Sequence, residues 1–255
     1  MNGEAATREQ TIEAFLTRSK RQGTVGIRMS FLQPGRGLKA GKGVLASFVG
    51  GRDELALDLY LLLILLGRGS RLGKHLVDVQ SGVWSRVLGL TGKSANQVLS
   101  RALGRLERRK LIRRVKTKRG VRVQLLREDG QGGDYSPPTP REPYFQLPFA
   151  YWRDNHYLKL RMPGKAMLLI TLGERWEFEL PVARVPAWYG ISSETADRGY
   201  EELVRAGIAT YEQRTETDVW QNPGRRIVKR WRLRGAYERE EPPAKPVVAP
   251  LRRVK

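Results

Sequence analysis

The sequence predicts an α+β, mainly helical chain built from two tandem units, each a pair of helices joined by a tight turn and followed by a basic β-hairpin. Three observations predict it. A helical apolar stripe from Val98 to Leu106 runs straight into alternating β residues around the basic turn Lys118-Arg119-Gly120. The same order of patterns returns between Pro163 and Arg234. Between the two lies REDGQGGDYSPPTPREP, rich in Gly, Pro, Ser and Asp and without an apolar period. The expected boundaries are an N-terminal helix and basic Gly-rich segment at 1–50 and a first unit at 51–128. A linker follows at 129–143, then a second unit at 144–235 and a disordered, Pro-rich basic tail at 236–255.

Arg8 to Gln22 reads as a short amphipathic helix with Ile12, Phe15 and Leu16 on one side. A strand from Ile27 to Leu32 leads into a glycine-rich basic loop containing Gly35, Gly37, Gly41, Lys42 and Gly43. The loop lacks the spacing of a phosphate-binding P-loop, which needs four residues between its first glycine and a Gly-Lys pair, then Ser or Thr. Gly37 is too close, Gly35 too far, and Gly43 holds the hydroxyl position. Gly92-Lys93-Ser94 fails as well, because Val87 stands where the leading glycine should be. Nucleotide hydrolysis is not expected on these grounds, and Lys39 and Lys42 are expected in a mobile basic loop able to touch DNA backbone.

Asp53 to Gly67 is the most apolar stretch. It is too short to span a bilayer, which takes about 20 apolar residues, and Asp58 interrupts it. Its leucines surround the axis, so more than one face must be covered. The N-terminal region and the second unit can supply that cover; a homodimer through the apolar helix at 55–66 is the alternative. His75 to Val79 then alternates as a short strand.

From Val83 a short apolar segment ends at Leu88 and Leu90 and breaks at Thr91-Gly92. Val98, Leu99, Ala102, Leu103 and Leu106 then form a buried stripe, while Gln97, Ser100, Arg101, Arg105 and Arg108 take the opposite face. Asn96 stands at the expected N-cap, with Ser94 as the alternative. Leu111 and Ile112 open a hairpin in which Val121, Val123 and Leu125 alternate with Arg122 and Gln124. From Thr91 to Arg127 the positive side chains outnumber the lone acid Glu107 by about a dozen.

This succession resembles the helix-turn-helix with wing of the winged-helix superfamily, and SRALGRLERRKLI is similar to the recognition helix of MarR-like and GntR-like regulators. The resemblance implies a helix in the DNA major groove and a wing along the backbone. It makes Ser94, Asn96, Gln97, Ser100 and Arg101 the base-facing candidates. Lys93, Arg105, Lys116, Lys118, Arg119 and Arg122 are the phosphate-facing ones.

In the second unit, Pro163-Gly164-Lys165 opens a helix through Ile170, Trp176, Phe178 and Leu180 alternate as a strand, and Pro181 to Tyr189 forms a short helix. Gly190-Ile191 turns into SSETADRGYEELVRAGI, with Ser193 at the cap and Ala196, Tyr200, Leu203 and Val204 at helical spacing. Laying LVRAGI on LERRKL places Ser193 on Asn96 and Arg198 on Arg101. Glu194, Asp197, Glu201 and Glu202 weaken this helix toward phosphate, whereas Arg226, Arg230 and Arg232 line one face of the hairpin, whose strands are joined by TETDVWQNPG. Ser193, Thr195, Arg198, Arg226, Arg230 and Arg232 are the backbone-contact candidates here. The unit reads equally as a clamp or protein contact and as a second base reader. The aromatic run Tyr144, Phe145, Phe149, Tyr151, Trp152 and Tyr157 is expected to pack its own domain rather than to stack on bases.

Composition points to the partner. The 255 residues carry 47 Lys and Arg against 26 Asp and Glu, a net charge of +21, and the pI is about 10.7. Such a balance calls for a polyanion, here double-stranded DNA. There is no cysteine, so no disulfide, thiol nucleophile or Cys-ligated metal. His75 and His156 lack metal-ligand spacing, and no catalytic frame is present. No enzyme activity, cofactor, metal or small-molecule ligand is expected. The N-terminus lacks a signal-peptide pattern, so a cytoplasmic, nucleoid-associated location without membrane association is expected. The functional expectation is sequence-specific duplex-DNA binding by a transcriptional regulator. The tandem layout also resembles the two-winged-helix plasmid or phage replication initiators. A nonspecific architectural DNA binder is a third class, and a protein-pairing scaffold a fourth.

Overall fold

A computed structural model describes residues 5–35, 41–67, 75–117, 120–220 and 222–239. The elements run α1 (Arg8–Arg18), β1 (Thr24–Arg28), α2 (Val44–Gly50), α3 (Glu54–Gly67), β2 (Leu76–Val79), α4 (Ser81–Val87), α5 (Ala95–Arg108), β3 (Ile112–Thr117) and β4 (Gly120–Leu125). They continue as β5 (Tyr144–Pro148), α6 (Ala150–Arg153), α7 (His156–Lys159), α8 (Met162–Gly173), β6 (Glu177–Phe178), α9 (Val185–Tyr189), α10 (Ser193–Arg205), β7 (Ala209–Thr217) and β8 (Arg225–Leu233). The chain is thus an α+β protein with small antiparallel sheets.

Two of the sheets share a plan. In order β2-β4-β3 and β6-β8-β7, the short strand ahead of a helix pair joins the second strand of the hairpin behind it. The correspondence is residue by residue. Adding 97 to Leu99, Ala102, Leu103 and Leu106, the buried stripe of α5, gives Ala196, Gly199, Tyr200 and Leu203, the buried stripe of α10. The same shift takes Lys110 onto Gly207, both left-handed at φ 55° and 69°. It also takes the Leu111 N–H bonded to the Leu106 carbonyl (3.1 Å) onto the Ile208 N–H bonded to the Leu203 carbonyl (2.9 Å). Each helix therefore ends in one left-handed residue that throws the chain directly into a hairpin. The turns before the helices differ, seven residues at 88–94 against three at 190–192.

One continuous apolar core runs through both units. α3 lies at its centre, with every residue from Ala56 to Gly67 buried, as a helix apolar on all sides must be. The face suggested for a second copy at 55–66 is therefore already occupied by this chain. Across that core, Lys165 of α8 donates to Asp58 of α3 at 2.6 Å, and the Tyr151 hydroxyl donates to the same carboxylate at 3.1 Å. Burial pushes the Asp58 carboxyl up to about 6 against the pull of Lys165. Tyr157 donates to the Val87 carbonyl at 2.7 Å, adding a second tie between the units.

Several expectations are corrected. The strand expected at Ile27–Leu32 is Thr24–Arg28 followed by a 3₁₀ turn at Met29–Phe31, because its register is set by pairing with β5 from Thr24↔Pro148 to Arg28↔Tyr144. Residues 1–50 are accordingly no separate segment: β1 closes a sheet with the start of the second half. The stretch 129–143 is no free linker either. Arg28, buried in β1, donates at 2.8 Å to Glu128 and at 3.0 Å to Glu142, and Tyr135 is buried beside it. A buried guanidinium requires such partners, so the Gly- and Pro-rich stretch is pinned at both ends. α5 has Ser94, not Asn96, at its cap position, and α10 is capped by Ser192, whose hydroxyl accepts the Thr195 N–H at 3.2 Å, not by Ser193. β6 covers only Glu177–Phe178, and β7 absorbs the start of the expected arm, leaving 218–224 as the connection. Of the aromatic run, all but Tyr144 are buried. The start of the expected disordered tail is ordered, with a 3₁₀ turn at Gly235–Tyr237 and Tyr237 buried, while Gly37 and Lys39 and the tail beyond Arg239 lie outside the described residues.

Candidate nucleic-acid interface

The stripe of Leu99, Ala102, Leu103 and Leu106 holds α5 against the core and turns its other face outward. On that face Ser94, Asn96, Gln97, Ser100 and Arg101 are all exposed. Asn96 with Ser100 and Gln97 with Arg101 are four residues apart, so each pair stands together on the surface. Among the described residues none of these side chains has a hydrogen-bond or ion-pair partner, and Lys93 beside them is equally exposed. Amide, hydroxyl and guanidinium groups are thus concentrated on the first two turns with their donors and acceptors unspent. Arg108, one heptad beyond Arg101, extends the same face and is also exposed. The sevenfold spacing marks it as a further cation of this surface.

The phosphate-facing candidates divide. Arg105 donates through Nε to Asp53 Oδ1 at 2.8 Å, and Arg109 donates through Nη1 to Oδ2 at 2.8 Å. Asp53 is buried at the start of α3 and needs both cations, so Arg105 is a clamp between α5 and α3 rather than a free surface charge. Arg109 continues the clamp, donating to Ser47 and lying 4.4 Å above the Phe48 ring. Arg122 pairs across the sheet with Asp78 at 2.7 Å. The lone acid Glu107 binds both the backbone N–H (3.0 Å) and the side chain (2.7 Å) of Arg114, pinning β3 to α5. Those bonds, the backbone one foremost, hold its carboxyl below the usual range. Lys116 lies in β3, but its side chain, like Lys118 and Arg119 altogether, falls outside the described residues.

The second unit spends its polar groups internally. Ser193 donates to the Val182 carbonyl at 3.3 Å, Thr195 bonds to Ser192, and Arg198 pairs with Glu194 one turn back. Arg226 is held by Glu179 and Glu216, Arg230 by Glu216 at 2.6 Å, and Arg232 by Glu177 at 2.7 Å. The arginines expected along the phosphate backbone are thus matched by Glu177 of β6, by Glu179 just past its end and by Glu216 of β7. Sequence alternation placed them on one face correctly, but it carried no sign that Glu177, Glu179 and Glu216 would share it.

His75 bonds to the Gly67 carbonyl at 2.7 Å and His156 to the Tyr237 hydroxyl at 2.8 Å, so both rings have structural roles. Among the described residues no cluster of His, Cys, Asp and Glu could hold a metal ion, and no helix is long and apolar enough to cross a membrane. Comparison with protein-family models, with curated proteins and with solved structures finds no match.

Proposed function

We propose that the chain is a sequence-specific duplex-DNA-binding protein whose two units are winged helices, the first of which reads bases. The observation that carries this is the outward face of α5, where Asn96, Gln97, Ser100 and Arg101 stand exposed with no internal partner. Asn and Gln match the adenine edge and Arg the guanine edge in the major groove, and helix N-terminal turns are the part that reaches it. Lys93, Arg108 and the basic hairpin surround that face with charge for phosphates, which supply most of the affinity and make it salt-dependent. The shared plan of both units, strand, helix pair and hairpin with the strand returning to the hairpin, supports the winged-helix reading.

The role that fits best is transcriptional regulation. Replication initiation at a repeated origin is the second reading, favoured by the packing of two such units on one core. Selection from a random duplex pool at near-physiological salt tests both. Enrichment of a motif is expected. An inverted arrangement of its genomic copies at a promoter supports a regulator, and a direct array beside the gene an initiator. Retention without any enriched motif would leave only phosphate contacts and overturn the base-reading assignment.

A further inference from the structure

The most exposed large apolar side chains among the described residues lie together at the end of the second unit's hairpin. Trp220 is 93% exposed, Val219 77% and Ile227 72%. β7 and β8 have nine residues each against six in β3 and β4, so this hairpin outreaches its counterpart. Tyr211 stands opposite Trp231 in the register, and alternation puts Ile227 on the same face as Trp231. Toward the base of the hairpin that face is covered, Trp231 stacking on Tyr200 of α10 with 3.9 Å between ring centroids. Further out the cover ends, leaving a groove of about 700 Å³ between α10 and the hairpin. Val204, Tyr211, Ile227 and Trp231 wall it.

Charge indicates what can enter. From Gly190 to Arg234 there are 9 Lys and Arg against 7 acids, in a chain whose net charge is +21. Glu179 and Glu216 already hold Arg226 and Arg230, so this surface offers phosphate little. Two copies of a strongly basic protein meet less repulsion here than at the first unit, where 13 Lys and Arg face one acid from Thr91 to Arg127. The unit also carries both halves of a contact, an apolar projection and a groove whose wall combines Val204, Tyr211, Ile227 and Trp231 with charged side chains of both signs. A two-fold axis lets each copy supply both.

We propose that the second unit pairs two copies of this chain, the Val219-Trp220 tip of each seated in the α10–hairpin groove of the other. A buried aromatic removes about 150–250 Å² from water. Two tips and the groove walls they cover together reach the order of 1,000 Å², the lower end of specific interfaces. The pairing rests on this surface alone and is measured without DNA, so its fate is separate from that of base reading by α5.

The test is sedimentation of the full chain in the absence of DNA over a micromolar concentration series. A reversible dimer is expected. Trp220→Ala and, in the groove, Val204→Glu should each weaken it at least about tenfold, as loss of a central anchor does. Both positions are exposed, so unchanged circular dichroism and melting temperature verify the fold. Mixed together, the two variants restore one of the two contacts and should associate more tightly than either alone. A monomeric wild type throughout the series, or a dimer indifferent to both substitutions, overturns the proposal. A monomer whose Trp220→Ala variant loses duplex binding overturns it too, and assigns the tip to DNA.

Discussion

The two units share a skeleton and differ in skin. A constant shift of 97 residues superposes their buried stripes and their left-handed helix ends, and their sheets share one strand order. Yet from Thr91 to Arg127, 13 Lys and Arg face one acid, whereas from Gly190 to Arg234, 9 face 7. On α5 the outward Asn96, Gln97, Ser100 and Arg101 have no internal partner among the described residues; on α10 the matching Arg198 is paired with Glu194. The difference teaches that core positions alone maintain such a unit. Its exposed positions are free to take on a separate task, so a repeated fold is not a repeated function.

The shared half of the comparison is the easiest to break. Lys165→Met leaves Asp58 unpaired in the common core and should cost about 3–5 kcal/mol. Calorimetry should show one transition for both units, before and after substitution. Asp58 titrates near 6 in the folded chain against about 3.9 unfolded. With the folded value the higher, its contribution is fully present below about pH 4 and is lost as pH rises through about 6. The Lys165→Met deficit should therefore shrink in acid.

The differing half is sharpened by substitution at matched positions. Arg101→Ala should cost about 1–3 kcal/mol on a selected duplex and little on random sequence, by filter binding. Arg198→Ala, its counterpart under the shift of 97, should change neither. Conversely, Glu194→Gln with Asp197→Asn and Glu201→Gln frees Arg198 and should make the second unit resemble the first. Nonspecific affinity should rise and the slope of log K against log salt should steepen by about 0.9 for each phosphate gained. The smallest effect is expected at Glu142, whose carboxyl the Arg28 guanidinium holds at about 2. Glu142→Gln should cost roughly 1 kcal/mol at neutral pH, allowing for partial solvent screening. Because the folded value lies below the unfolded one, that difference should vanish as pH falls from about 4 to about 2.

The paired helices of both units were legible in the sequence because each buries one stripe at a fixed period, Leu99 to Leu106 in α5 and Ala196 to Leu203 in α10. The free face of α5 was legible for the same reason: it is what the stripe leaves over. Long-range pairing was not. Nothing local to Arg105 announces Asp53, 52 residues away, and nothing local to Arg28 announces Glu128 or Glu142. The span 129–143 looked like a linker because composition reports chain stiffness and solubility, while its order comes from ion pairs made elsewhere. The acids opposite Arg226 and Arg230 were hidden likewise, since they arrive from other strands.

The pairing of β1 with β5 has a consequence for how such a chain can be divided. β1 belongs to the first half and has no other strand beside it among the described residues, while β5 opens the second half. A protease finding the Gly- and Pro-rich span would face backbone anchored by Arg28 and Tyr135, and separately expressed halves would each expose a raw sheet edge. The two units, alike in plan, are therefore tied by a shared sheet and a shared core, and each expressed alone is expected to be less soluble than the whole chain.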